Sequence, residues 1–233
     1  MYFNKIDIYY DGINIPDNSE IKIHGFTTNP TILKKYNLDK SYKQFAKVFV
    51  EKNNNLPVSF EVLSDESEKM IQEAKEISSW GKNIFVKIPI INTKGEYNTY
   101  VIQQLKQANI KQNITAIFTQ EQIIHVYNLL KDSTIPNILS IFSGRIADTG
   151  IDPMILCKYS SELIKNSNLK ILWASTREVF NVFQAIESGC NIITINNDIF
   201  KKLCLIGKDL NDFSKETVQM FITDGQEAKL TVL

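Results

Sequence analysis

The feature that most constrains this chain is a repeated alternation. Short apolar runs, rich in β-branched and aromatic residues, recur at 6–10, 21–25, 58–63, 84–88, 113–117, 138–142, 170–174 and 192–195. Their length suits buried strands. Amphipathic stretches of helical period lie between them, at 64–80, 94–108, 119–131, 153–166 and 176–188, with another at 214–224 before a short tail. The 64–80 stretch opens on Ser64-Asp65-Glu66-Ser67-Glu68, a capping signature with acids in the first turn, and Gly81 is placed to close it. Pro153 suits the first position of its helix, and Gly189 ends the 176–188 stretch.

Strands that alternate with helices build βαβ units and a parallel sheet. Eight strands predict an (α/β)8 barrel, the TIM barrel, before an open sheet. No GxGxxG or GxxxxGK loop is present to support a doubly wound nucleotide-binding fold. A chain of 233 residues suits one such barrel, so residues 1–233 are expected to form a single domain with a C-terminal helix.

Charge and cysteine usage narrow the function classes. Lys+Arg and Asp+Glu are both 26, so there is no basic excess of the kind nucleic-acid or anionic-membrane binding needs. Cys157, Cys190 and Cys204 form no CxxC pair, and His24 and His125 are the only histidines. No zinc constellation can be assembled from them, and no metal is expected. Sparse, odd-numbered cysteines fit a reducing cytoplasm. The opening MYFNKIDIYYDG has no signal-peptide pattern, and no run of 18 apolar residues is present to span a membrane. The expected location is therefore the cytoplasm.

One residue breaks the pattern. In Ile84-Phe85-Val86-Lys87-Ile88-Pro89, Lys87 is the only charge. Strand alternation puts Phe85 and Lys87 on one face and Val86 and Ile88 on the other. If Val86 and Ile88 pack under helices, the amine points into the barrel. A buried amine is more easily kept neutral, and a neutral amine can add to a carbonyl and form a Schiff base. The strand alone leaves a second reading open, a lysine at the strand end that snorkels to solvent.

Other polar residues sit in or just after the apolar runs. They are Asp11 on the first, Thr27, Thr28 and Asn29 after the second, Glu61 on the third, and Asn113 and Thr115 on the fifth. Arg145 follows the sixth, and Ser175 and Arg177 follow the seventh. In an (α/β)8 barrel the strand C-terminal ends form one mouth, where the active site lies. All of these residues would converge there. Asp7 shares its face of the strand with Asp11 and is a rival for the strand-one acid, although Asp11 lies nearer the C-terminal end. His24 reads as a structural histidine, and Tyr9 and Tyr10 as packing residues.

Several segments resemble the transaldolase family. Gly25-Phe26-Thr27-Thr28-Asn29-Pro30-Thr31 is similar to its TTNP(S/T) signature, and Phe85-Val86-Lys87-Ile88-Pro89 to its V-K-(I/V)-P strand. Ser140-Ile141-Phe142-Ser143-Gly144-Arg145-Ile146 and Ala174-Ser175-Thr176-Arg177 resemble S-P-F-V-G-R-(I/L) and A-S-F-R, and Gly189-Cys190 is also family-like. The resemblance runs in order along nearly the whole chain. Its length points to the short subfamily of compact transaldolases and fructose-6-phosphate aldolases.

The resemblance implies a set of roles. Lys87 would form a Schiff base with a ketose phosphate, and Asp11 would take the C4 hydroxyl proton. Glu61 and Thr115 would shuttle protons through a water. Thr27, Asn29, Asn113, Ser140 and Phe142 would line the sugar, while Arg145, Arg177 and Ser175 would bind its phosphate. It also implies sugar-phosphate substrates, no cofactor, and a homo-oligomer of five or ten chains. Glu61 and Phe142 stand where the fructose-6-phosphate aldolases carry Gln and Tyr, which favours transfer of a dihydroxyacetone unit over its release by a lyase. A barrel that binds a phosphosugar without chemistry is a third reading, disfavoured by Lys87, Glu61 and a strand-one Asp.

Some positions depart from the pattern. Ile141 replaces a proline, the segment between Asp11 and Thr27 is short, Trp173 precedes Ala174, and Asn196-Asn197-Asp198 is unusually polar. These departures are compatible with an altered sugar substrate, such as one used in polysaccharide synthesis.

Overall fold

The structure is a computed structural model that describes residues 2–14, 21–35, 41–53 and 56–232. Eight strands, β1 (Asp7–Asp11), β2 (Gly25–Thr27), β3 (Val58–Glu61), β4 (Ile84–Pro89), β5 (Gln112–Ile117), β6 (Asn137–Ile141), β7 (Leu169–Trp173) and β8 (Ile192–Ile195), pair in sequence order. All pairings are parallel, and β8 returns to β1 to close the barrel. Closure leaves no sheet edge exposed.

Ten α-helices are described: α1 (Pro30–Lys35), α2 (Tyr42–Lys52), α3 (Ser67–Ser78), α4 (Thr99–Gln107), α5 (Gln120–Leu130), α6 (Ser143–Ala147), α7 (Pro153–Leu163), α8 (Asn181–Glu187), α9 (Asn197–Lys202) and α10 (Leu210–Glu227). The fold is thus the expected (α/β)8 barrel with a C-terminal helix. Of these, α1, α2, α6 and α9 have no counterpart among the sequence-predicted stretches.

Strand alternation divides the apolar residues into two groups. Val86 and Ile88 join the large outer core between sheet and helices, with Ile8, Phe60, Ile114, Ile171 and Ile193. Phe85 joins a small inner core with Tyr9, Ile138, Leu172, Ala174 and Ile192. Phe85 and Lys87 therefore share the inner face, as the alternation of β4 requires. Gly25 makes room for that inner core, because a Cβ there would lie 2.6 Å from the Tyr9 ring. Tyr10 faces outward and packs edge-on against Phe200 at 5.5 Å.

Several boundaries differ from the sequence-based expectations. The second strand is Gly25–Thr27 rather than 21–25. Just before it, the His24 imidazole accepts the Ile8 N–H at 3.1 Å, in place of a strand carbonyl. Helix α3 begins at Ser67, because Glu73 reaches back from inside the helix to accept from Leu63 and Ser64 N–H groups at 2.7 and 3.0 Å. Gly81 is not in the left-handed region and does not cap α3, whereas Gly189 after α8 does adopt it, at φ +73°. Helix α4 starts only at Thr99, since Asn92 organises a turn by accepting from the N–H groups of Lys94 and Glu96. Helix α8 starts only at Asn181, whose side chain accepts the Arg177 and Glu178 N–H groups, and α10 is longer than 214–224, capped by Asp209. No described helix is long and apolar enough to cross a membrane.

Candidate active site

The strand C-terminal ends enclose a cavity of about 640 Å³. Its lining includes Asp11, Thr27, Asn29, Glu61, Lys87, Thr115, Ser140, Phe142, Arg145, Ser175 and Arg177. Eleven of the twelve sequence-predicted site residues thus meet at one place. Asn113 is the twelfth. It is fully buried, donating to Ser59 Oγ at 2.9 Å and accepting from Ser140 Oγ at 2.6 Å. Both ends of its amide are therefore committed to protein groups, and it braces the strands around Lys87 instead of lining the cavity.

Register sets the centre of the site. Glu61 pairs with Lys87 across β3 and β4, and Lys87 pairs with Asn113 across β4 and β5. Lys87 is 5% exposed, which excludes a snorkelling lysine. Its Nζ donates to the Thr28 carbonyl at 2.9 Å and lies 3.1 Å from Glu61 Oε2. The Thr115 hydroxyl is buried with no hydrogen-bond partner among the described residues. A buried hydroxyl in that state is suited to a water or a substrate group.

Asp11 lies at the C-terminal end of β1. Its Oδ1 accepts from Thr27 Oγ1 at 2.7 Å. Burial pushes its carboxyl above the usual Asp value; the Lys87 amine and the Thr27 hydroxyl pull the other way, and Glu61 adds to the rise. The Thr27 hydroxyl also hydrogen-bonds Thr194 on β8. Since Thr27 spends its one proton on Asp11, Thr194 must be the donor to Thr27. Asp7 sits at the opposite end of β1, 3.7 Å from Lys170 and outside the cavity.

Two irregular backbone positions shape the walls. The β5–β6 register shifts between Ile114 and Ile117, and Ala116 adopts φ +58°. That bulge lets consecutive residues, Thr115 and Ala116, both reach the cavity, which a regular strand forbids. Ser175 likewise adopts φ +64°. Gly144 packs directly against it, and a Cβ on Gly144 would fall 1.6 Å from the Ser175 carbonyl oxygen. This close approach brings α6 and the loop after β7 together, and with them Arg145 and Arg177.

The two arginines rim the cavity. Arg145 lies over the Phe142 ring, 5.6 Å from its centroid. Arg177 makes a forked contact with Asp148, with Nε 3.1 Å from both carboxylate oxygens and Nη2 2.5 Å from one. That pair is half exposed and open to screening by solvent, so an arriving dianion can compete with Asp148 for Arg177. Among the described residues no cluster of three or more His, Cys, Asp or Glu side chains could hold a metal ion.

Sequence reasoning missed Tyr42, Thr194, Asp148 and Lys35, the last at the end of α1 on the cavity lining. Alternation along β8 could have found Thr194, two residues beyond the inner-core Ile192. Nothing in the sequence marks Tyr42 or Asp148, whose roles come from contacts between distant segments.

A parallel eight-stranded barrel whose strand ends gather a buried lysine, two acids and two arginines around one cavity defines an enzyme of the aldolase kind. Comparison with known proteins agrees. Residues 8–231 match the family described as Transaldolase/Fructose-6-phosphate aldolase. A "Probable transaldolase 2" of Listeria monocytogenes is 34% identical over 201 residues, covering 83% of this chain and 86% of that protein. A "Probable transaldolase" of Thermoplasma volcanium is 33% identical, covering 84% and 86%. Another, of Carboxydothermus hydrogenoformans, is 29% identical, covering 96% and 100%. The chain belongs to the transaldolase/fructose-6-phosphate aldolase family.

Proposed function

We propose that the protein is a transaldolase-type transferase that moves a dihydroxyacetone unit between sugar phosphates through a Schiff base on Lys87. The observation that carries this reading is the Lys87 amine, enclosed in the barrel between Glu61 and the Thr28 carbonyl at the floor of the cavity. Lys87 Nζ adds to the C2 carbonyl of a ketose phosphate. The carbinolamine loses water to give an iminium, with Glu61 and Thr115 passing protons through a water. Asp11 takes the C4 hydroxyl proton, the C3–C4 bond breaks, and its electrons flow into the iminium. An aldose phosphate leaves, and a three-carbon enamine remains on Lys87 until an acceptor aldehyde arrives.

Arg145, Arg177 and Ser175 hold the phosphate at the rim, where guanidinium groups match a dianion in geometry. Asn29, Thr27, Ser140 and Phe142 flank the sugar, and Asn113 acts beneath them. Phe142 has no hydroxyl with which to hold a water for enamine protonation, which supports transfer over release. The protein works in the cytoplasm as one barrel domain of residues 1–233, without a cofactor or a metal. Helix α10 has no buried residue, and Phe213, Phe221 and Ile222 on it are exposed. Such a helix supports a homo-oligomer, in which a second copy covers this apolar surface.

The test is intact mass after sodium borohydride and fructose 6-phosphate, beside a Lys87→Met control. A reduced three-carbon adduct is expected on the wild type and not on the variant. Erythrose 4-phosphate should then discharge the enamine into a seven-carbon ketose phosphate. Release of free dihydroxyacetone without an acceptor would assign the lyase reaction instead. An adduct with other ketose phosphates only would point to an altered sugar substrate.

A further inference from the structure

Tyr42 stands outside the barrel, on α2, and does not line the cavity. Its hydroxyl nevertheless meets both backbone atoms of one residue of the site. It accepts the Glu61 N–H at 3.2 Å and lies 3.3 Å from the Glu61 carbonyl, to which it can donate. The same hydroxyl also contacts the Thr28 side chain. Thr28 in turn donates its own hydroxyl to the Ser59 carbonyl at 3.0 Å. Glu61 and Thr28 are the two groups that hold the Lys87 amine. One phenol thus touches both of the residues on which the amine rests.

The ring is fixed from the other side. It packs edge-on against Phe60 at 5.8 Å and Trp80 at 5.1 Å, and the Trp80 indole N–H donates to Glu76 at 2.9 Å. Two near-perpendicular aromatic contacts leave the phenol little freedom to swing. Burial pushes the Tyr42 hydroxyl well above its ordinary value, so it stays protonated at any working pH. β3 ends at Glu61, where ladder support is weakest, so an external anchor has most effect there.

We propose that Tyr42 is a positioning residue: its hydroxyl fixes the end of β3 and the β2 loop, and so holds Glu61 and the Thr28 carbonyl in register with the Lys87 amine. The inference rests on the reading of Lys87 as the nucleophile. Tyr42 touches neither substrate nor the reacting atoms, and its effect passes through the backbone of Glu61.

Tyr42→Phe tests it, because the ring and its packing remain and only the hydroxyl is lost. Three quantities are compared with the wild type: the borohydride trapping rate with fructose 6-phosphate, kcat and KM for transfer to erythrose 4-phosphate, and hydrogen exchange at the Glu61 amide. Trapping and kcat should fall about tenfold, as expected when reacting groups are slightly misplaced. KM should stay within about twofold, since the phosphate site lies across the barrel on α6 and the loop after β7. Glu61 amide exchange should accelerate, as a lost hydrogen bond opens the strand end. A kcat equal to wild type would overturn the proposal. So would a fall in kcat matched by a rise in KM and a large drop in Tm, which marks general loosening. If the wild type forms no adduct with fructose 6-phosphate or with any other ketose phosphate, the Lys87 reading fails first and the role of Tyr42 goes with it.

Discussion

At the scale of single residues, the site turns on how burial treats its charges. Asp11 is pushed up by burial, and the Thr27 hydroxyl opposes that rise. Asp11 must be ionised to accept a proton, so the acidic limb of the activity profile should lie above the ordinary Asp range. Thr27→Val removes a bond that favours the carboxylate, and should move that limb to still higher pH. The kcat/KM profile from pH 4 to 9 reads the shift directly. Stability should respond in the opposite sense to function. A carboxyl raised in the folded state lends stability only below its unfolded value near 4, and loses it as pH climbs through the folded value. Asp11→Asn should therefore raise Tm at neutral pH and not at pH 3, while lowering kcat by about 10²–10⁴-fold. An unchanged Tm at neutral pH would remove the desolvation argument.

At the scale of elements, the loops matter more than the strands they join. Helix α6 and the β7–α8 loop touch at Gly144, where a methyl group would sit 1.6 Å from a backbone oxygen. No side-chain rotation relieves that overlap, so one of the two must move. Gly144→Ala should destabilise the fold by about 4 kcal/mol or more, or leave it folded with Arg145 and Arg177 separated. Chemical denaturation distinguishes a stability loss from a weakened phosphate affinity, and wild-type behaviour in both would contradict the contact. The β5 bulge works in the same spirit. By admitting an extra residue it brings Ala116 to the cavity wall beside Thr115, while Asn113 stays in the brace below. Helix α2 acts from outside, through Tyr42, on the end of β3.

At the scale of the whole molecule, the barrel buries its apolar strands on both faces, while α10 buries none of its residues. A helix of that composition, held by its cap, its own hydrogen bonds and the Lys208 contacts to Glu216 and Phe213, is a marginal structure in isolation. Phe221 is 63% exposed and Ile222 51%. Phe221→Asp should dissociate the proposed oligomer without altering the barrel, giving a monomer by light scattering with an unchanged barrel Tm. A wild-type protein that is already monomeric at micromolar concentration would refute the assembly.

The sequence by itself determined the barrel, because eight short apolar runs separated by helical stretches admit few other arrangements. It also placed Lys87, Glu61, Asp11 and the two arginines at one mouth, since strand parity and the position of each polar residue at a strand end are local properties. Helix α1 was not legible, because six residues with one buried apolar position, Leu33, show no period; α2 does carry one, with Tyr42, Phe45, Ala46, Phe49 and Val50 at helical spacing, and the sequence reading passed over it. Asp11 was already favoured over Asp7 by its place nearer the C-terminal end of β1, and the fold sets Asp11 on the cavity with Asp7 outside it. Two further decisions belonged to the tertiary structure alone. Asn113 becomes a brace because Ser59 and Ser140 reach it from separate strands. Tyr42 gains its place at Glu61 because a helix outside the sheet packs over the end of β3. Each depends on contacts between distant segments, and no local pattern of residues encodes where such segments meet.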